Sequence, residues 1–314
     1  MAFKITNAGA LSTIQDLGRY GHMREGFSPS GALDTHSMRL ANILVGNPEN
    51  EAVIEMTVSG ITVIMDDDCI IAVTGGDFGP LINNRPIPVN AAVRVEKGQI
   101  LRCPRCVNGC RCYLAVRGGF AIDEVMGSCS TNLRCGIGGY LGRKLLPGDV
   151  LRLKNPDVNL SVENRRVTLP RFSRQLIVSA VAGPQDDYFS DGELGKFFKS
   201  TYIVTEECDR MGMRLSGTEI AALNGYDIIS DAVVSGSVQI SANGQPMILL
   251  ADRQTTGGYA KIATVVSYDV AKLAQLLPGA AVGFKRVTVD QAQKKYIETQ
   301  QYFQSLKSKF GEGF

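Results

Sequence analysis

The chain has 314 residues, with 33 Lys and Arg against 31 Asp and Glu, for a formal net charge of +2. That length suits two domains with their own cores, and the 44% hydrophobic and 20% charged fractions exclude wholesale disorder. Near-neutral charge without a long Lys/Arg block removes the electrostatic basis for nucleic acid as the main ligand.

The N-terminus, Met1-Ala2-Phe3-Lys4-Ile5-Thr6, carries no apolar run of signal-peptide length. Apolar stretches such as 247–251 fall far short of the ~20 residues of a membrane helix. A cytoplasmic protein without membrane contact is expected, and its eight cysteines should stay reduced. Asp34 is placed to cap a helix with Ser37, Leu40, Ala41 and Leu44 on one side, ended by Gly46 with Pro48 beyond. Short β-branched runs predict strands at 61–64, 70–73, 92–95, 175–178 and 263–266.

A glycine turn followed by an apolar strand recurs as Lys97-Gly98-Gln99-Ile100-Leu101, Pro147-Gly148-Asp149-Val150-Leu151 and Pro278-Gly279-Ala280-Ala281-Val282, each with Gly where a tight turn needs positive φ. Asn84-Arg85-Pro86-Ile87 echoes Gly244-Gln245-Pro246-Met247, and these weak repeats suit two related β-rich halves. The polar stretch after Asn155 marks the boundary, giving an N-terminal domain at 1–155, a linker at 156–175 and a second domain at 176–288. A helix at 289–310 closes the chain. It opens on a capping-box pair, Thr288 and Gln291, and carries a stripe of Ala292, Tyr296, Thr299, Phe303, Leu306 and Phe310.

Four cysteines, Cys103, Cys106, Cys110 and Cys112, crowd into one turn. A tetrathiolate metal site is one reading; small buried or turn cysteines are the other, because CxxC followed by CxC is not a pair of CxxC knuckles. No metal is predicted. There is no GxxxxGK[ST] loop, GxSxG elbow or HExxH, and Gly136-Ile137-Gly138-Gly139-Tyr140-Leu141-Gly142 misses the dinucleotide fingerprint by one position. His22 and His36, the only imidazoles, leave a histidine triad or His-ligated metal almost no material. No biotinyl-lysine site is present, so covalent-carrier or nucleotide machinery is expected from another chain.

Three polar, glycine-dense segments could carry chemistry. The first contains Gln15, Asp16 and Arg19 and continues to Ser30 and Asp34. Adjacent acid, amide and guanidinium groups suit a planar polar substrate, and an edge turn with a surface Asp-Arg pair is the plain alternative. The second is Thr74-Gly75-Gly76-Asp77, an anion-receiving nest or an ordinary β-turn after a buried strand. The third, Asp252-Arg253-Gln254-Thr255-Thr256-Gly257-Gly258-Tyr259-Ala260-Lys261, is a polar run between two apolar strands, where a site is expected. Gln185, in Gly183-Pro184-Gln185-Asp186-Asp187, and Asp209-Arg210 add candidates from the second half.

These segments, with TIQDLGRYG, SGALD, TGGD, GPQDD, DRMGMRL, SDAVVSGSVQI and DRQTTGGY in this order, resemble the family called allophanate hydrolase subunit 2 or biotin-dependent carboxyltransferase, which includes the 5-oxoprolinase C subunits. The matching stretches span residues 10 to 280. The resemblance implies a mainly β protein of two cyclophilin-like β-barrel domains with an active cleft between them, a few short helices and a C-terminal helix. It implies a subunit of a bacterial ATP-dependent 5-oxoprolinase that opens 5-oxoproline to glutamate and is inactive alone. A biotin-dependent carboxyltransferase acting on urea and a regulatory partner of a kinase-inhibitor-like subunit 1 are the alternatives. The absence of carboxylase and biotin-carrier domains favours the first.

Implied partners are a subunit-1-type homologue, a lactam-utilisation-type subunit and a small planar amide, with homo-oligomerisation open. ATP serves the complex, and its binding subunit stays open. On this reading Asp16 or Asp252 accepts the amide N–H, and Arg19 or Arg253 meets the carbonyl or ligand carboxylate. Gln254, Thr255 and Thr256 position the ligand or an activated phosphate.

Overall fold

The computed structural model describes residues 2–155 and 157–311. The chain divides into two units: residues up to Tyr20, Ser30–Phe172 and those from Tyr302 onward form the first, and Gly21–Pro29 with Ser173–Gln301 the second. In the first unit the strands are β1 (Ala2–Asn7), β2 (Leu11–Gln15), β3 (Val53–Thr57), β4 (Thr62–Met65), β5 (Cys69–Asp77), β6 (Leu81–Ile82), β7 (Arg85–Pro86), β8 (Ala91–Val95), β9 (Ile100–Arg102), β10 (Asn108–Val116) and β11 (Val150–Arg152). They form a six-stranded sheet, β11-β1-β4-β9-β6-β7, and a five-stranded sheet, β2-β3-β10-β5-β8.

The apolar run in β5 has no polar alternation because both of its faces are covered. Ile71 and Val73 enter a core with Phe3, Ile5, Val63, Leu101 and Leu151 from the other sheet. Ile70 and Ala72 face a second core built on helix α1 (Thr35–Val45), with Met38, Ala41 and Val45. The helix starts where predicted: Asp34 Oδ1 accepts the Ser37 N–H at 2.9 Å, and Gly46 ends it in the left-handed region at φ 72°. The polar stretch 157–172 lies along the first unit. Arg165 Nε donates to Leu44 O at 2.9 Å, and Leu160, Val162 and Val167 pack on the α1 core.

The second unit contains β12 (Gln175–Ala182), α2 (Asp191–Lys199), β13 (Thr201–Cys208), β14 (Gly212–Ser216), β15 (Asp227–Ala232), β16 (Ser237–Ile240), β17 (Pro246–Leu249), β18 (Thr256–Tyr259), β19 (Lys261–Val265), α3 (Ser267–Leu273) and β20 (Ala281–Arg286). Seven strands close into a barrel in the order β12-β19-β16-β17-β14-β13-β20, while β15 and β18 form a separate two-stranded ribbon. Phe197 of α2 packs on Phe284 with ring centroids 4.5 Å apart. The glycines of the recurrent turn-and-strand phrase, Gly98, Gly148 and Gly279, have φ of 81°, 95° and 81°. Each turn feeds a strand, β9, β11 or β20. The class is therefore mainly β, with a closed barrel in the second unit and two sheets in the first.

The last helix, α4 (Val289–Phe310), has the predicted capping box: Thr288 N–H donates to Gln291 Oε1 at 3.0 Å, and Gln291 N–H to Thr288 Oγ1 at 3.2 Å. Its stripe packs only at the C-terminal end. Phe303 and Leu306 are buried, with the Arg39 guanidinium 3.8 Å above the Phe303 ring, whereas Tyr296 is 53% exposed. Among the described residues no helix is long and apolar enough to cross a membrane.

Candidate functional site

In the first unit, Asp16 follows the last residue of β2 and turns inward. Its Oδ1 accepts the Gly18 N–H and the Ser128 hydroxyl, both at 2.7 Å, and also the Ser130 hydroxyl. Oδ2 accepts the Cys129 N–H at 2.6 Å. Arg19, fully buried, closes the same turn by donating Nη2 to Ser130 O at 2.6 Å and Nε to Val125 O at 3.3 Å. Gln15 Nε2 reaches Thr13 Oγ1 at 3.0 Å and Thr131 O at 3.1 Å. The structure thus brings Gln15, Asp16 and Arg19 together around 128–131, and these side chains fasten that turn. Their burial rules out the alternative of a surface Asp-Arg pair.

Ser30 Oγ accepts from Asn132 Nδ2 at 3.1 Å. Asp34 is occupied as the α1 cap, and its N–H donates to the Tyr113 hydroxyl at 2.8 Å, which in turn donates to Glu55 Oε2 at 2.8 Å. The 74–77 segment is neither the expected β-turn nor an open nest: Gly75, Gly76 and Asp77 complete β5, where pairing with β10 shifts register between Asn108 and Cys112. The physical reason is close approach, since a Cβ on Gly75 would lie 2.8 Å from Arg111 O. Asp77 Oδ1 accepts the Gly79 N–H at 2.8 Å.

In the second unit the polar run after β17 builds a denser constellation. Asp209 Oδ1 accepts the N–H groups of Met211 at 2.7 Å and Gly212 at 3.1 Å, forming the turn that presents Arg210. Arg210 grips Asp252 with both prongs of its fork, Nε to Oδ2 at 2.8 Å and Nη2 to Oδ1 at 3.1 Å, and both residues are buried. Next in sequence, buried Arg253 donates Nε to Val233 O and Nη1 to Leu250 O, each at 3.3 Å.

Lys261 donates Nζ to Asp231 Oδ2 at 2.7 Å and to Ala232 O at 3.2 Å. Two buried cations therefore engage successive carbonyls of 232–233. Gln185 joins them, accepting the Lys261 N–H and donating to Asp231 Oδ2, both at 3.3 Å. Gln254 and Thr256 are exposed, and Thr255, Gly258 and Tyr259 half-buried. Gly257 is buried because a Cβ there would lie 2.5 Å from Gln239 Nε2, which donates to Tyr259 O at 3.1 Å.

The family model for the carboxyltransferase domain, subdomain A and B, matches residues 25–286. The chain belongs to this family. Among its relatives, the 5-oxoprolinase C subunit of Escherichia coli K12 is 35% identical over 303 residues, covering 96% of this chain and 97% of that protein. The 5-oxoprolinase C subunit of Haemophilus influenzae is 34% identical with the same coverage, 96% and 97%. The crystal structure of the Kluyveromyces lactis urea amidolyase superposes with a TM-score of 0.91 at 28% identity, covering 97% of this chain. This chain spans 20% of that enzyme's length.

Within this carboxyltransferase-family chain, sequence reasoning misses several residues of both constellations. Ser128, Ser130 and Thr131 lie more than a hundred residues from Asp16. They sit in GSCSTNLR, a stretch that shares the family likeness, and the glycine-rich 136–142 loop beyond it adds a local signal: Gly138 approaches so closely that a Cβ would stand 2.1 Å from Ser130 O and 2.5 Å from Arg19 Nη2. Asp231 sits in SDAVVSGSVQI, a stretch that carries family likeness but gives no local sign that its carboxylate is special. Lys261 and the Ala232 and Gln185 hydrogen bonds hold that carboxyl below the usual range.

The clustered cysteines are free thiols. Burial pushes the Cys103 thiol up to about 12 and the Cys106 thiol up to about 11. Among the described residues no group of three or more His, Cys, Asp or Glu is arranged to hold a metal ion.

Proposed function

We propose that this chain is the amide-handling subunit of an ATP-dependent 5-oxoprolinase complex that opens 5-oxo-L-proline to L-glutamate. The end-to-end match with two 5-oxoprolinase C subunits carries the reading. It covers nearly the whole length of each relative, so it extends to both units. A lactam is a planar amide with a poor electrophile, and opening it requires groups that grip its N–H and polarise its C=O. The second unit offers such groups close together: Arg253 and Lys261 as cations, Asp231 and Gln185 beside them, and the open side chains of Gln254 and Thr256 at the rim. Asp252 serves by fixing Arg210 and the turn that carries Arg253. Asp16 and Arg19 serve by fixing 128–131.

ATP, consumed by the complex, supplies a phosphoryl group to the lactam oxygen and leaves as ADP. One water adds to the activated carbon and the C–N bond breaks to give an acyl phosphate, which a second water hydrolyses to glutamate and phosphate. The paired glycines at 75–76 and 138–139 are packed against backbone and side chains rather than opened toward a phosphate. On this reading the amide is assigned to this chain, and the nucleotide-binding subunit stays open. A second reading, a biotin-dependent carboxyltransferase acting on urea or a related amide, is favoured by the fold match to urea amidolyase.

The test is co-expression with a subunit-1-type homologue and a lactam-utilisation-type subunit, followed by assay of ATP-dependent glutamate formation from 5-oxoproline. Activity is expected only with all subunits present. Arg253→Ala should lower it at least ~10²-fold, the scale for one preorganised donor, with the subunits still assembled. Urea-stimulated turnover of carboxybiotin, with none of 5-oxoproline, would replace this reading with the second.

A further inference from the structure

We infer that Asp231 accepts the N–H of the substrate's planar amide, with Lys261 and Gln185 holding its carboxylate in place. The inference deepens the 5-oxoprolinase reading and rests on it for the identity of the amide. Asp209 is set apart, because its Oδ1 is spent on the Met211 and Gly212 N–H groups of its own turn and, among the described residues, no buried cation anchors it. Three other carboxylates of the candidate constellations could take this role, and the geometry separates them. Asp16 is 3% exposed, and its two oxygens already receive four donors. Asp252 is 8% exposed with each oxygen facing one prong of Arg210. Both carboxylates lie beneath the surface, so a ligand N–H has no open approach to either.

Asp231 is built the other way round. Its side chain is 50% exposed, while the ammonium that pairs with it, Lys261 Nζ, belongs to a side chain 2% exposed. The positive charge lies beneath and the carboxylate above, so the ion pair anchors Asp231 without covering it. Oδ2 receives Lys261 and Gln185, whereas Oδ1 receives the Ala232 N–H at 2.8 Å. A carboxylate oxygen has room for about two donors, and Oδ1 therefore has capacity left for a ligand.

Across the β15–β18 ribbon, Asp231 pairs with Gly257, a position closed to any side chain by Gln239, so the residue opposite Asp231 adds no bulk over it. Arg253 engages the carbonyl of Val233, two residues along the same segment. This buried guanidinium fixes the backbone that follows Asp231. Lys261 holds the Asp231 carboxyl below its usual range, which makes the ionised group a weak base suited to accepting a hydrogen bond. The ligand class is a compact amide or lactam that presents an N–H and also carries a carbonyl or carboxylate.

The test uses the reconstituted complex with 5-oxoproline as substrate and N-methyl-5-oxoproline, which lacks the N–H, as competing inhibitor. Asp231→Asn should lower kcat/KM about 10- to 100-fold, mainly through KM, the scale of one hydrogen bond to a charged group. It should also erase the wild-type preference for the N–H ligand over the N-methyl ligand. A purely structural role would leave that preference intact. Asp231→Glu, which keeps the charge, should restore part of both, and it provides the same readout if the Asn variant fails to assemble. An active wild-type complex whose Asp231 variants keep KM and the preference overturns this inference alone; an inactive wild-type complex overturns the functional reading beneath it as well.

Discussion

Asp16→Ala should destabilise the first unit strongly. The carboxylate takes the N–H groups of Gly18 and Cys129 and the hydroxyls of Ser128 and Ser130. A hydrogen bond to a charged group contributes about 1.5–3 kcal/mol. The four are not additive, since the serine hydroxyls can rotate toward other acceptors and water can enter the space vacated. The two N–H donors cannot rotate away, and losing their acceptor alone gives about 3–6 kcal/mol. That is a large part of the roughly 5–15 kcal/mol that holds a domain folded.

With no Trp in the chain, far-UV circular dichroism in urea is the suitable probe. At an m-value of about 2 kcal/mol/M, the midpoint of the first unit's transition should fall by about 2 M. Asp16→Asn keeps one carbonyl acceptor and should lose less. Native-state hydrogen exchange at the Cys129 amide gives a local check, and its protection should drop in both variants. A midpoint shift worth less than about 0.5 kcal/mol for Asp16→Ala, the range of ordinary surface substitutions, would refute the fastening role.

Two further outcomes follow from the same contacts. Gly138 and Gly136 have nearly equal φ, 68° and 65°, yet a Cβ at Gly138 would strike Ser130 O while nothing lies within 4 Å of one at Gly136. The left-handed strain of about 1–2 kcal/mol is common to both alanine variants, so Gly138→Ala should cost about 1–3 kcal/mol more by overpacking; equal losses in thermal melts would exclude the close approach. Iodoacetamide at pH 8 should label exposed Cys135 on the native protein, and Cys103, whose thiol burial pushes up to about 12, only after unfolding. Mass spectrometry showing Cys103 labelled as fast as Cys135 would contradict the buried-thiol geometry.

Local signals are legible in the sequence and distant ones are not. The α1 cap and stop, the Thr288–Gln291 box and the positive-φ turn glycines each depend on residues within four positions of one another, so the sequence displays them directly. Helix α2 goes unpredicted although it carries such a signal: Ser190 Oγ accepts the Glu193 N–H at 3.3 Å, in a Ser-x-x-Glu spacing hidden by two internal glycines. The α4 stripe predicts packing along its whole length, and only its end packs. A period of 3.6 shows which residues share a face and says nothing about whether another element covers it, and Tyr296 lacks the cover that α1 gives Phe303.

The same limit governs the site. The charged residues Asp16, Arg19, Asp252 and Arg253 stand out as a set, because glycine-dense polar runs framed by apolar strands are visible in one dimension. Whether a carboxylate is already occupied depends on partners far away in the chain, 112 residues for Ser128 on Asp16 and 42 for Arg210 on Asp252.

Occupancy is also what distinguishes holding from binding. A buried carboxylate costs several kcal/mol to desolvate and is tolerated only when charge or several donors compensate it, so the deeper such a group lies, the more completely the fold must use it. Asp16 and Asp252 meet that condition and lie too deep for a ligand to approach. Asp231 escapes it by burying the counter-ion rather than the acid. A protein with two histidines can still present a fixed negative acceptor over a buried cation in this way, and the feature to seek in such a chain is an exposed carboxylate over a buried lysine rather than the most deeply buried acid.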